Sequence, residues 1–168
     1  MIINKVWAMP NKYTFEIKPI NELLTRYNVG VGWVDPFCGN SKLCNFRNDL
    51  NMDTKIDAYD YINSVIKGLT YIDGFLLDPP YSLEQISRSY KNIGKTHWQK
   101  ETHNFNGSFP KVRDLISEIL QPGKLCISFG WNSNGLGKNR GFEQIEILLV
   151  AHGGNHNDTI CVVERKTA

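Results

Sequence analysis

The sequence lacks the long apolar runs that would place a chain in a membrane. The chain has 168 residues, of which 41% are hydrophobic and 21% charged, and no apolar run approaches the roughly 20 residues needed to cross a bilayer. The first residues also lack the apolar core of a signal peptide. These absences predict a soluble globular domain in the cytoplasm.

Closely spaced metal-ligating or disulfide-forming residues are also absent. Four cysteines, Cys38, Cys44, Cys126 and Cys161, are far apart and form no Cys-x-x-Cys pair. This spacing favours buried free thiols over a zinc knuckle or a disulfide framework. His152 and His156 lie in a glycine-rich turn without an evident third ligand, so no metal site is predicted.

Two nucleotide-binding motifs are missing as well. The chain has no Gly-x-x-x-x-Gly-Lys-Ser/Thr, and no Gly-x-Gly-x-x-Gly follows its first predicted strand. A nucleoside triphosphate or a dinucleotide is therefore disfavoured.

The chain lacks a large excess of either charge, since its net charge is only +2. The basic residues are nevertheless unevenly distributed along it. Between Arg88 and Arg113 there are six basic residues and one acid, Glu101. Aromatic residues are interleaved with them, namely Tyr90, Trp98, Phe105 and Phe109. Cations mixed with aromatic rings are typical of surfaces that bind phosphates and stack on bases. A solvated loop anchored by its aromatic residues is the alternative.

Hydrophobic periodicity predicts a single α/β domain over residues 1–168. The predicted helices cover residues 17–27, 57–66, 82–90 and 112–120, and the predicted strands cover 29–34, 43–47, 71–77, 125–129, 143–151 and 159–164. Alternation of strands with helices predicts a mainly parallel open sheet, and the last two strands are close enough to form an antiparallel hairpin.

Unusual residues cluster where the predicted strands end. Residues 35–41, 48–49, 78–81, 130–137 and 152–158 should meet at one edge of the sheet, where open α/β sheets bind ligands. Gly39 would permit close backbone approach, and Asp49 is placed to accept hydrogen bonds from ribose hydroxyls. The sequence therefore predicts a pocket for a nucleoside-bearing cofactor.

Asp78-Pro79-Pro80-Tyr81 stands at the end of an apolar strand. The Asp78 carboxylate can accept a hydrogen bond from an exocyclic amine, two prolines stiffen the turn, and Tyr81 offers a stacking face. This combination suits a planar base that carries an NH2 group. An ordinary strand-to-turn exit is the alternative, since Asp and Pro are common turn residues.

These motifs resemble a known family. Residues 34–40 resemble the S-adenosylmethionine-binding motif of amino-methyltransferases, and residues 78–81 resemble their Asp-Pro-Pro-Tyr catalytic motif, most typical of DNA N6-adenine methyltransferases. Together with residues 128–133 and 156–159, the chain most resembles the small phage or prophage enzymes. The resemblance implies a Rossmann-like methyltransferase fold with S-adenosylmethionine as cofactor and DNA as substrate. If a phage encodes the chain, the host cytoplasm is the expected location.

The same resemblance implies the site residues. The implied cofactor-binding residues are Thr14, Phe15, Asp35, Pro36, Phe37, Gly39, Asn40, Asp49 and Asp57. Asn40 stands where many relatives have a second glycine. The implied catalytic residues are Asp78, Pro79, Pro80 and Tyr81. Asp78 and the Pro79 carbonyl would accept N6–H while Tyr81 stacks on the extruded base. Asp57 could instead be only a helix cap.

Two departures from the family pattern concern helices and target recognition. Few residues separate Gly39 from the second strand, so the helix expected there is lost and the next is shortened. No separate target-recognition domain is visible, which leaves the basic, aromatic insertion 88–113 and neighbouring loops to contact DNA. Candidate contacts are Arg88, Lys91, Lys95, Trp98, Lys100, Lys138 and Arg140. A homodimer would enlarge this surface, although no residue pattern specifies one.

Other functions stay open at the level of sequence. Related catalytic loops also serve RNA bases and protein glutamine, and lost helices could indicate an inactive cofactor- or nucleic-acid-binding module. Asp at position 78 and the basic, aromatic insertion favour DNA adenine. No cysteine lies near Asp78, so a covalent route is disfavoured, and Cys38 is expected to pack rather than react.

Overall fold

The computed structural model describes residues 1–94 and 109–167. Seven strands in this part of the chain form one sheet: β1 (Ile2–Trp7), β2 (Trp33–Asp35), β3 (Phe46–Arg47), β4 (Gly74–Leu77), β5 (Leu125–Gly130), β6 (Phe142–Ala151) and β7 (Thr159–Lys166). The spatial order is β1-β6-β7-β5-β4-β2-β3. β7 is antiparallel to both of its neighbours, and the other pairs are parallel. The mainly parallel sheet and its carboxyl-terminal hairpin are therefore confirmed.

Within residues 1–94 and 109–167, four α-helices cover the sheet: α1 (Lys18–Arg26), α2 (Ala58–Tyr61), α3 (Leu83–Asn92) and α4 (Pro110–Ile119). α2 continues as a five-residue π-type helix, Ile62–Ile66. Prolines in the first turns of α1 and α4 are compatible with a helix start, where the missing N–H would have no partner anyway.

Successive side chains of the central strands point to opposite faces of the sheet, and each face has its own hydrophobic core. Leu76 and Ile127, paired across β4 and β5, pack with the buried face of α1. Phe75 and Cys126 point to the other face, where α2, α3 and α4 cover them. Because side chains alternate across a strand, the same short apolar runs supply both cores. The molecule is a three-layer α/β/α domain.

Besides the loop of the β6–β7 hairpin, two connections between the described strands lack an α-helix. The link from β2 to β3 is a ten-residue loop, residues 36–45, and the link from β5 to β6 contains only a short 3₁₀ turn, Lys138–Arg140. The expected loss of the helix between β2 and β3 is confirmed. The next connecting helix, between β3 and β4, is shortened as expected to the four residues of α2 and its π-type continuation.

The structure differs from the sequence prediction most clearly at two strands, one predicted with wrong bounds and one not predicted. The first core strand spans only Trp33–Asp35, because Gly32 has φ +81° and ends the extended conformation, while Val31 is 85% exposed. The edge strand β1 was missed altogether. None of its residues is buried, and it pairs with β6 through its backbone. Its apolar residues come in adjacent pairs and so lack the alternation that marks a half-buried strand.

Candidate active site

The carboxyl ends of β2, β3, β4 and β5 meet at one edge of the sheet, as the sequence predicts. The parallel pairing places Asp35, Asn48, Asp78 and Trp131 at successive strand ends. The structure therefore gathers the predicted cofactor and catalytic segments around a common edge.

Asp78 follows β4 directly and has two hydroxyl partners. The Tyr81 hydroxyl donates to Asp78 Oδ1, and the Thr14 side chain also forms a hydrogen bond to this carboxylate. Burial raises the pKa of Asp78, and the two hydrogen bonds oppose that rise only in part. The result is a poorly solvated carboxylate held in a fixed orientation.

The chain after Asp78 is fixed by the start of α3. Tyr81 N donates to Gln85 Oε1 at 2.6 Å, and Ser82 caps the helix by accepting from Gln85 N at 3.2 Å. The Tyr81 ring packs edge-on against Trp131, with centroids 5.5 Å apart. Burial, followed by the charge of Asp78, raises the pKa of Tyr81 well above its usual value. Its hydroxyl therefore stays protonated and remains a donor.

Asp35, at the end of β2, is fully buried. Its Oδ1 accepts from Phe37 N at 3.1 Å, whereas Oδ2 has no hydrogen-bond partner among the described residues. Burial raises the pKa of Asp35 to about 8, the Phe37 bond opposes this, and the charges of Asp78 and Asp49 add to it. An ionised carboxylate with an unpaired buried oxygen is costly, so burial favours the protonated form of Asp35.

Gly39 and Asp49 tie the loop after β2 to the end of β3. Gly39 N donates to Asp49 Oδ2 at 3.0 Å, while Asp49 Oδ1 accepts from the backbone and side-chain nitrogens of Asn51 at 2.9 and 2.8 Å. Gly39 has φ +52°, and no atom lies within 4 Å of the position that a Cβ would occupy. The loop thus presents bare backbone to an open space.

Two cavities adjoin at Asp78. The β3–α3 cavity has a volume of about 330 Å³ and lies between the ends of β3, the start of α2 and one face of α3. The β2-loop cavity has a volume of about 780 Å³ and lies between residues 12–16 and the loop after β2. Thr14, Phe37 and Asp78 line both cavities. Asp78 therefore faces any ligand that spans the two.

The predicted cofactor residues divide between these cavities. Pro36, Asp49 and Asp57 line the β3–α3 cavity, and Phe15, Gly39 and Asn40 line the β2-loop cavity. Asp57 also caps α2, accepting from Asp60 N at 2.9 Å, so its structural role is real whether or not it meets a ligand. Asp35 lies behind both cavities and lines neither.

The predicted nucleic-acid-binding residues do not all lie near Asp78. Arg88 and Lys91 are exposed on α3, where Arg88 pairs with Glu84 at 2.9 Å. Lys95, Trp98 and Lys100 lie outside the described residues.

Lys138 and Arg140 are not brought to the Asp78 edge. β6 begins at Phe142, level with the first residue of β5, because β7 pairs with both strands there. The preceding loop therefore crosses to the opposite edge of the sheet. Arg140 is held there by Asp114, at 2.6 Å from Nε to Oδ1, and by the Leu136 carbonyl at 3.2 Å.

Several cavity residues were not predicted. Gln85, Ile86 and Ser89 of α3 line the β3–α3 cavity, and their spacing of one, three and four residues places them on one helix face. That spacing, directly after the Asp78 loop, was the available signal. Phe109, which lines the same cavity, packs against Phe37 with centroids 4.9 Å apart.

The histidines and cysteines have structural environments. His152 is buried between the Ala8 carbonyl and Thr159 Oγ1, each 2.9 Å from a ring nitrogen. All four cysteines are buried and free, and burial raises the pKa of Cys38 to about 11. Within residues 1–94 and 109–167, no group of acids, histidines or cysteines is arranged to hold a metal. No helix in these ranges is long and apolar enough to span a bilayer.

Comparison with known proteins gives structural matches only. No family model matches the sequence, and no curated protein matches it. TrmN from Thermus thermophilus is 16% identical with a TM-score of 0.48, and the match covers 89% of this chain and 49% of that chain. This chain thus spans about half the length of TrmN. A protein from Haemophilus influenzae described as a candidate methylase is 11% identical with a TM-score of 0.44, covering 90% and 88% of the two chains.

The mainly parallel sheet with helices on both faces is Rossmann-like. The chemistry of the site has to come from this chain's own residues.

Proposed function

We propose that the protein transfers a methyl group from S-adenosylmethionine to the N6 amine of adenine in DNA. The observation that carries this proposal is the position of Asp78. Its oriented, poorly solvated carboxylate lies where the β3–α3 and β2-loop cavities adjoin. A methyl donor and an amine acceptor can meet there, with the carboxylate beside the acceptor.

The residues around the cavities fit S-adenosylmethionine. Cavities of 330 and 780 Å³ are in the size range of cofactor sites, about 300–1,000 Å³. Asp49 would accept from the ribose hydroxyls, Asp57 would face the cofactor adenine, and Gly39 would allow close approach of the methionine part.

On the acceptor side, this chain's residues orient the amine and its lone pair. The N6 lone pair of adenine is delocalised into the ring, so the nitrogen is a weak nucleophile. Hydrogen bonds from N6–H to Asp78 and to the Pro79 carbonyl would localise that pair as the nitrogen becomes tetrahedral. Bound S-adenosylmethionine supplies a methyl group on a sulfonium, an electrophile that needs no further activation.

Tyr81 serves both the carboxylate and the base. Its hydroxyl fixes one Asp78 oxygen, which leaves the remaining lone pairs of the carboxylate for N6–H. Its ring, held edge-on by Trp131, offers a face on which an extruded base can stack. Alignment of acceptor and donor then provides much of the acceleration.

DNA is the acceptor that the surroundings favour. An ionised Asp can accept from an exocyclic amine, and the exposed cations Arg88 and Lys91 lie on α3, which lines the β3–α3 cavity. The same chemistry could in principle be applied to an amine in RNA or to a glutamine side chain.

One product analysis tests the proposal. The protein is incubated with methyl-labelled S-adenosylmethionine and equal masses of DNA, RNA and cell protein, and each polymer is then digested and analysed chromatographically. We expect label in N6-methyladenine from DNA. Label in an RNA base or in glutamine would replace the proposed substrate, and cofactor binding without transfer to any polymer would show a binding module.

A further inference from the structure

A third cavity lies on the far side of the Asp78 loop. It has a volume of about 140 Å³ and separates that loop from α4 and from the chain after β5. We call it the Trp131 cleft. Its lining includes Pro79, Tyr81, Arg113, Ser128, Trp131 and Asn132. The catalytic loop thus forms a wall of this cleft as well as of the two cavities discussed above.

Arg113 is a half-buried cation that lines this cleft. It projects from α4, and its charge acts on the buried Glu164 carboxylate, whose oxygens accept from the backbone nitrogens of Leu136 and Gly137. Its side chain forms no hydrogen bond with a described residue, so its donors are available to a ligand in the cleft. The neighbouring arginine differs, because Arg140 is paired with Asp114. Burial lowers the pKa of Arg113, the positive charge of Arg140 adds to this effect, and the charges of Cys126 and Glu164 oppose it in part. A partly desolvated guanidinium is costly where its N–H donors lack acceptors, and a bound anion in the cleft would supply them.

The walls of the cleft restrict which anion would bind there. Trp131 is 45% exposed, and its ring, placed 5.5 Å from that of Tyr81, gives the mouth a flat apolar side. A guanidinium beside exposed aromatic surface suits a phosphodiester between stacked nucleotides, since arginine binds phosphate through two parallel N–H donors.

We propose that Arg113 binds a backbone phosphate of the substrate strand next to the adenine that enters the Asp78 site. This inference rests on the proposed function and adds a substrate-binding residue to it. The same loop residues, Pro79 and Tyr81, line both the β3–α3 cavity and the cleft. A phosphate held at Arg113 would therefore fix the strand immediately beside the extruded base.

A phosphate contact differs measurably from a contact to a base edge. Phosphates carry no sequence information, so loss of Arg113 should weaken binding to the same extent whatever bases flank the adenine. A variant that has lost one phosphate contact releases fewer counterions when it binds DNA, so its affinity depends less steeply on salt concentration.

The test measures binding of labelled duplex DNA by fluorescence anisotropy at several salt concentrations. Arg113→Gln should bind about tenfold more weakly at low salt, and the slope of log affinity against log salt should fall by about 0.9. Arg113→Lys keeps the charge and should keep the slope. Arg165→Gln is the matched control, since Arg165 is exposed at the opposite edge of the sheet, and it should bind as the unmodified protein does.

A second measurement locates the phosphate. In a duplex whose methylated adenine has been mapped, neutral methylphosphonates replace single phosphates near that adenine. At the phosphate that Arg113 contacts, the replacement should weaken binding by the unmodified protein but cause no further loss in Arg113→Gln. Thermal melting of each variant shows that it is folded.

The outcomes separate this inference from the proposed function. If the unmodified protein methylates DNA adenine but Arg113→Gln keeps its affinity and salt slope, the inference alone is wrong. A loss that depends on the flanking sequence would also overturn it, because that indicates a base contact. If the unmodified protein binds no nucleic acid, both proposals fail.

Discussion

Replacing Asp35 by Asn tests whether this buried carboxyl is held protonated at neutral pH. The folded protein raises the pKa of Asp35 to about 8 from the ordinary value of 3.8, chiefly through burial. Between these two values the folded state binds one more proton than the unfolded state. Stability should therefore fall as pH rises across that window, by about 1.4 kcal/mol for each pH unit. Asn has nearly the same shape and does not titrate.

The comparison between Asp35→Asn and the unmodified protein isolates this contribution. From about pH 5 to about pH 7, the unmodified protein should lose about 2.7 kcal/mol relative to the variant. For a chain of this size that corresponds to roughly 5–11 °C in the relative melting temperature. Differential scanning calorimetry at both pH values measures it, with Asp53→Asn, an exposed loop residue, as control. A difference between Asp35→Asn and the unmodified protein that stays constant with pH would refute the reasoning.

Two further predictions concern the site. Because the Tyr81 hydroxyl stabilises the charged form of Asp78, Tyr81→Phe should move the fall of kcat/KM at acid pH to a higher pH; an unchanged pH profile would contradict this role. Gly39→Ala places a methyl group in open space at φ +52°, so it should cost only about 1 kcal/mol in folding but weaken S-adenosylmethionine binding by more than tenfold in calorimetry. Gly154→Ala, with φ +57° and equally open surroundings, should cost the same in folding and leave cofactor binding unchanged; equal cofactor affinity in both variants would remove Gly39 from the cofactor site.

Hydrophobic pattern and strand order predicted the features that depend on burial. The core strands and the edge that gathers Asp35, Asp49 and Asp78 follow from apolar runs and from the carboxyl-edge rule. β1 was missed because its side chains are exposed and its stability comes from backbone pairing with β6.

Features that depend on strand register and on the packing of distant segments could not be predicted from the sequence. The crossing of residues 131–141 to the opposite sheet edge is fixed by the register of β7 with β5 and β6, which removes Lys138 and Arg140 from the site. Arg113 was visible only as one of several basic residues. Its place beside the Asp78 loop, in the Trp131 cleft, arises from the packing of α4.

The measurement that tests the central claim most directly is the N6-methyladenine content of DNA after incubation with S-adenosylmethionine and either the unmodified protein or Asp78→Ala. Mass spectrometry of the digested nucleosides quantifies the product, and cofactor binding by each protein is measured in parallel. We predict N6-methyladenine with the unmodified protein and a loss of about 100-fold or more with Asp78→Ala, whose cofactor affinity should change little. Undiminished methylation by Asp78→Ala, or no N6-methyladenine from a protein that binds the cofactor, would contradict the account.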